Sequence, residues 1–161
     1  MNPPKRKKII LASSKGGHFA QLLSLEEMFS KYDYLLLTEK SKSTESLTAK
    51  YNLKFLKSRP NINPKSPLFL WILVVNTFLS LKIFINHFPK VVITTGSHTS
   101  IPTCILAKIL GVKVVYIVSY ARVNSTEKSA DLIYKIADQF LVQWPEMQNV
   151  YPKAKHLGGL Y

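Results

Sequence analysis

Cysteine is almost missing from this sequence of 161 residues: Cys104 stands alone. No internal disulfide can form, and a reducing compartment, most simply the cytoplasm, is expected. Acids are scarce as well, nine against 22 lysines and arginines, which leaves a formal net charge of +13. That surplus asks for an anionic partner or surface, with nucleic acid, anionic lipid and a phosphorylated substrate as the candidates. The basic residues are spread along the chain rather than gathered on one recognition helix, and no nucleic-acid motif is present, so nucleic acid is not expected as a partner. The four histidines and Cys104 lack metal-ligand spacing, so no metal site and no cofactor are expected, and no Ser-His-Asp arrangement can be assembled. The stretch from Met1 to Lys8 is basic like the start of an export signal, but only Ile9 to Ala12 are apolar before Ser13-Ser14-Lys15, too short a run. The length suits one domain over 1–161, without repeats and without room for a second.

What is present centres on Ile9-Ile10-Leu11-Ala12-Ser13-Ser14-Lys15-Gly16-Gly17-His18. Four apolar residues read as a buried strand, Ser13 to Gly17 as a turn, and Phe19 to Phe29 as a helix with Leu22, Leu23, Leu25, Met28 and Phe29 at helical spacing. Glycines at a helix start let an anion approach unpaired backbone N–H groups at the positive end of the dipole, so a phosphate fits there. Neither GxGxxG nor GK[ST] occurs, and a tight strand-to-helix turn explains the glycine pair equally well.

Further strands are expected at Tyr34 to Thr38, Leu53 to Leu56, Lys90 to Thr95, Lys113 to Val118 and, last, Gln139 to Gln143. Between them lie a short helix with Leu47 inward, a helix from about Ser100 to Leu110 stopped by Gly111, and one from Lys128 to Ala137. Strands alternating with helices give an α/β, Rossmann-like doubly wound parallel sheet, whose ligands bind at the carboxyl ends of the strands. The loops Ser13 to His18, Thr95 to Thr99 and Ser119 to Ser125 all leave those ends and form one rim.

Leu68 to Phe88 is the long apolar run, about 30 Å as a helix, the thickness of a bilayer's hydrocarbon. Lys82 within it costs about 2.5 to 3.5 kcal/mol at mid-bilayer on insertion scales. Asn76, Ser80 and His87 fall within about 40° on the helical wheel, a polar stripe. A spanning helix is therefore disfavoured. Leu68 to Val75 is apolar all round, with Phe69 and Trp71, and follows Lys54, Lys57, Arg59 and Lys65. A helix over about 67–88 that docks in the membrane interface through Leu68, Phe69, Trp71 and Ile72, while packing its other side on the sheet, is the expectation.

His18, beside any phosphate on the glycine turn, is the best placed general base, with His98 after Gly96 and Ser97 second; a lone loop histidine is more often structural or a hydrogen-bonding residue than a catalyst. Arg122 can fork onto a diphosphate or pair with Glu127 or Asp138.

Ser14-Lys15-Gly16-Gly17-His18, Tyr120-Ala121-Arg122-Val123, Val142-Gln143-Trp144-Pro145-Glu146-Met147, Tyr151-Pro152 and Gly158-Gly159 together resemble the membrane-anchoring subunit of two-component UDP-sugar transferases. In eukaryotes that subunit helps add the second N-acetylglucosamine to dolichol diphosphate, and bacterial relatives serve capsule and exopolysaccharide synthesis. The resemblance covers nearly the whole chain and implies the N-terminal, acceptor-side half of a GT-B glycosyltransferase. The partner subunit would bind the UDP-sugar, at the cytoplasmic face of an anionic membrane beside a polyprenyl-diphosphate-linked glycan. It places Ser14, Gly16, Gly17, Gly96 and Ser97 at the acceptor phosphate, His18 at its hydroxyl, Arg122 in the cleft, and Trp144, Gly158, Gly159 and Tyr161 at the partner. Two positions depart from the pattern: relatives usually carry an acid where Val118 stands and a Thr-Gly pair near Ser129-Ala130. Eukaryotic members tend to begin with a transmembrane anchor; here the Leu68 helix is expected to dock instead. A noncatalytic membrane scaffold and a freestanding nucleotide-binding domain are the alternative functions.

Overall fold

The computed structural model describes residues 6–58 and 66–159. Arg59, Lys65 and Tyr161, singled out above, lie outside the described residues. Seven strands, β1 (Lys8–Ser13), β2 (Asp33–Glu39), β3 (Leu53–Leu56), β4 (Val91–Gly96), β5 (Lys113–Ile117), β6 (Gln139–Val142) and β7 (Lys155–His156), form one sheet in the order β3-β2-β1-β4-β5-β6-β7. Every neighbouring pair is parallel. The chain extends the sheet outward from β1 to β3, then returns to β4 on the other side of β1, so the winding reverses between β1 and β4. In open α/β sheets that reversal opens a crevice at the strands' carboxyl ends.

The helices are α1 (Gly17–Leu23), α2 (Lys42–Glu45), α3 (Pro67–His87), α4 (Ile101–Ile109), α5 (Lys128–Tyr134) and α6 (Met147–Val150). Alternation along β1 sends Ile9 and Leu11 to a core with Phe19, Leu22 and Phe29, and Ile10 and Ala12 to a larger core with Ile83, Phe84, Cys104 and Ile133. Local chemistry fixes the ends. Ser66 Oγ accepts the Phe69 N–H at 3.2 Å and Pro67 opens α3 at a position with no hydrogen-bonded N–H to lose. Gly111, at φ 70°, turns the chain out of α4.

Three expectations are corrected. The helix drawn over Phe19 to Phe29 ends at Leu23 and resumes as a 3₁₀ helix, Glu26–Lys31, because Leu25 leaves helical geometry between them. The last strand is β7, not the one at Gln139; two residues are too short to show periodicity. Phe69 does not face outward: it is only 7% exposed, its ring edge-on to His98. Ile72 is half-buried, while Leu68 and Trp71 are exposed.

The polar stripe of α3 faces the protein. Asn76 accepts the Lys57 N–H at 2.8 Å and donates to the Lys57 carbonyl at 3.0 Å, continuing the ladder beyond the end of β3. Ser80 and Thr103 Oγ1 share a bond of 2.8 Å, and the His87 ring reaches the Ile9 carbonyl at 3.2 Å. The other face carries Leu70, Trp71, Val74, Phe78 and Ile85 into solvent, with Trp71 63% and Phe78 66% exposed. This is the reverse of a helix on a water-facing surface.

Candidate functional site

The loops leaving β1 and β4 meet at the switch point. The Ser14 N–H donates to the Gly96 carbonyl at 3.1 Å, joining the two strand ends. Gly16 has φ 85°, and both Gly16 and Gly17 face open space, so the backbone can be approached from outside. Helix α1 behind them has seven residues, so its dipole is a minor contribution.

His18 is held from both sides by Thr95. Its Nδ1 lies 2.7 Å from the Thr95 carbonyl oxygen, and the Thr95 hydroxyl donates to the His18 carbonyl at 2.8 Å. A carbonyl can only accept, so Nδ1 carries a proton, and in the neutral ring the lone pair is on Nε2. Sequence distance hid this, since the two residues are 77 positions apart. Gly96 completes the fit. With φ 99°, it leaves a space where a Cβ would stand 2.8 Å from the Tyr116 hydroxyl and 3.4 Å from His18 Cε1.

The rest of the rim is layered behind these residues. Ser97 is half-buried, its carbonyl taking the Ser100 hydroxyl at 2.8 Å; Ser14 is also half-buried. His98 packs against Phe69 rather than beside His18's free nitrogen. Burial, with Glu127 nearby, holds the Tyr116 phenol well above its ordinary pKa, so it stays protonated as a hydrogen-bonding wall. Cys104 is wholly buried and its thiol is pushed up to about 12, which makes it unreactive.

Arg122 follows β5 and bonds the Ser125 hydroxyl at 3.2 Å. Neither acid weighed for it above is its partner: Asp138 takes Lys108 and Lys113, and Glu127 accepts the Ser129 hydroxyl at 2.6 Å. Trp144 is half-buried; its ring lies 4.7 Å from that of Tyr120 and its Nε1–H donates to the Tyr120 carbonyl at 2.7 Å, tying the β5 and β6 loops together. Gly158, at φ 89°, and Gly159 follow β7 at the far edge, away from His18.

One pair was missed. Glu39 ends β2, is almost fully buried, accepts the Thr99 hydroxyl and lies 3.9 Å from Lys15 Nζ. It links the glycine loop to the segment after Ser97. The signal was a lone acid closing the apolar run Tyr34 to Thr38. Among the described residues no cluster of three or more His, Cys, Asp or Glu could hold a metal ion.

Residues 8–160 match the family model described as oligosaccharide biosynthesis protein Alg14 like. A human protein named UDP-N-acetylglucosamine transferase subunit ALG14 is 23% identical, over 98% of this chain and 85% of its own length. The Schizosaccharomyces pombe protein of the same name is 31% identical, over 96% of this chain and 84% of its own. Among solved structures, MurG of Acinetobacter baumannii superposes with a TM-score of 0.75 at 13% identity, covering 95% of this chain and 45% of that one. The UDP-N-acetylglucosamine 2-epimerase of Rickettsia bellii gives 0.72 at 13% identity, over 96% and 45%. The chain thus spans less than half the length of these solved proteins, with which it shares a Rossmann-like fold. It belongs to the Alg14-like family of oligosaccharide biosynthesis proteins.

Proposed function

We propose that this chain is the acceptor-side subunit of a two-chain UDP-sugar transferase, working at the cytoplasmic membrane face on a polyprenyl-diphosphate-linked glycan for capsular or exopolysaccharide synthesis. The observation that carries the reading is His18, half-buried and fixed through Nδ1 by Thr95 at the sheet's switch point, with no hydrogen bond to Nε2 among the described residues. Relatives of comparable length are named as subunits of a UDP-N-acetylglucosamine transferase, which supports a separate donor-binding chain.

In this reading Gly16, Gly17 and the Ser97 segment admit the acceptor diphosphate, and the Arg122 fork pairs with its charge. His18 Nε2 takes the proton of the acceptor hydroxyl as that oxygen bonds to the anomeric carbon; the bond from that carbon to UDP breaks and UDP leaves as the anion. Val118 is buried and apolar, so no carboxylate assists from that position. Trp144, Gly158 and Gly159 face the partner. The outward apolar side of α3 rests on the membrane, making the chain peripheral or monotopic.

The test reconstitutes this chain with its donor-binding partner, UDP-N-acetylglucosamine and a polyprenyl-diphosphate-linked monosaccharide. His18→Gln should lower kcat roughly 10²- to 10⁴-fold while the two chains still co-elute. Full activity in that variant would leave the chain a scaffold, and turnover of UDP-sugar by this chain alone would overturn the division of labour.

A further inference from the structure

A hollow of about 370 Å³ lies between the C-terminal ends of α3 and α4, at the opposite end of the sheet from His18. Leu81, Phe84, Ile85 and Phe88 form one wall, Leu110 and Val112 the other, and Lys90 stands at the mouth. Its volume is at the lower end of ligand pockets.

The backbone N–H groups along the walls are already engaged. The N–H groups of Phe88, Lys90, Leu110, Gly111, Val112 and Lys113 all donate to backbone carbonyls, at 2.8 to 3.2 Å. With six large apolar side chains on its walls and those N–H groups engaged, the hollow suits a hydrocarbon chain. The ion at its mouth sets the other end of the ligand: among the described residues Lys90 is recorded in no ion pair, while Lys108 and Lys113 nearby both pair with Asp138. An apolar slot with one cation at its rim fits an amphiphile with an anionic head.

Phe88 adds an independent observation. It caps α3 in the left-handed region, φ 51° and ψ 59°, where glycine is the unstrained residue, and the residue is 69% exposed. A bulky side chain in that conformation is strained, and here the ring gains little burial in return. Both costs find a use when the ring enters hydrocarbon.

We propose that this groove, with Phe88 as its lip, binds one acyl chain of an anionic membrane phospholipid whose head group sits on Lys90. The inference rests on the reading that α3 lies on a membrane, and it adds a second anchorage at the helix's far end. With α3 pinned at both ends, its polar stripe stays on the sheet and its long axis stays in the membrane plane.

The test measures partition of the full chain onto phosphatidylcholine vesicles, alone or containing phosphatidylglycerol or a few per cent polyprenyl phosphate. Phe88→Gly should melt at the same temperature or about 2–4 °C higher, yet bind phosphatidylglycerol vesicles roughly tenfold more weakly. Lys90→Gln should lose affinity for phosphatidylglycerol vesicles and keep that for phosphatidylcholine alone. A phosphatidylglycerol with a photoactivatable acyl chain should label residues 84–90 and 110–112. Wild-type binding by Phe88→Gly, alongside lost binding when Trp71 and Phe78 are replaced, would overturn the groove and leave the membrane reading standing; unchanged binding in both would overturn the two together. Labelling or affinity that depends on polyprenyl phosphate rather than phosphatidylglycerol would give the groove to the acceptor's tail and overturn the phospholipid assignment.

Discussion

The two ends of the sheet treat polar groups in opposite ways. At the amino ends Asp138 accepts the Val114 N–H at 2.8 Å and pairs with Lys108 and Lys113, and the turns into β4 and β5 spend their N–H groups on neighbouring carbonyls. At the carboxyl ends, among the described residues, His18 bonds through one ring nitrogen only, Arg122 bonds a serine and no acid, and Ser13 Oγ and Thr38 Oγ1 are buried without partners. A fold that can close one end has the means to close the other. In the proposed reading the open end is where the acceptor binds, and its buried groups without partners are what a site awaiting a polar ligand carries. Helix α3 shows the same contrast crosswise, with bonded polar residues inside and unbonded apolar ones outside.

The largest effect expected from that contrast separates the two faces of α3. Replacing Trp71 and Phe78 by serine should leave the melting temperature nearly unchanged, since both are exposed, and reduce partition onto anionic vesicles roughly a hundredfold or more by removing two large apolar side chains from the contact. Asn76→Leu is the mirror experiment. It makes the helix more apolar, yet strands the Lys57 N–H and carbonyl and should cost about 2–4 kcal/mol of stability with vesicle binding intact. Vesicle sedimentation and thermal unfolding, run on both variants, read the two faces separately; swapped outcomes would mean that inside and outside have been misassigned.

At the open end Gly96→Ala probes how closely His18 is fitted. The new methyl group meets the Tyr116 hydroxyl at 2.8 Å on a residue already at φ 99°, which should cost about 3 kcal/mol. Sugar transfer per folded molecule should fall at least about tenfold as the imidazole shifts. Adding Tyr116→Phe removes the colliding oxygen and should return part of the stability. If Gly96→Ala folds and transfers sugar like the wild type, the space beside His18 is looser than these distances require.

Much of this was readable beforehand. The apolar run Ile9 to Ala12, the glycine turn, the long helix from Pro67 and the order of alternating elements follow from periodicity and punctuation, which are local properties. What could not be read depends on contacts between distant positions. Periodicity put Asn76, Ser80 and His87 on one face of α3, but whether that face meets water or protein depends on Lys57, Thr103 and Ile9. Phe69 turns inward because His98 is there to receive it. The tautomer of His18 is fixed by a carbonyl 77 residues away, and Glu39's role by Thr99 and Lys15 on two other loops.

The smallest effect belongs to the closed end, where stability and chemistry should come apart. Burial is the largest single influence on the Asp138 carboxyl and raises its pKa, but the Val114 N–H and then the two lysine ammoniums together outweigh it and hold the group at about 2, against an ordinary 3.8. A folded-state pKa below the unfolded one means that the unfolded chain binds the proton first. The stabilisation is therefore complete above about pH 4 and lost as pH falls from 4 through 2. With the side chain about one-fifth exposed, that amounts to about 1–2 kcal/mol. Asp138→Asn should forfeit that stability at neutral pH and flatten the acid limb of the stability curve, measured by denaturant unfolding between pH 2 and 6. Its rate of sugar transfer per folded molecule, measured with the partner chain, should stay at the wild-type value, because the proposed catalytic His18 lies at the other end of the sheet; a fall in rate comparable to that of the Gly96 variant would show that the two ends are coupled through the sheet.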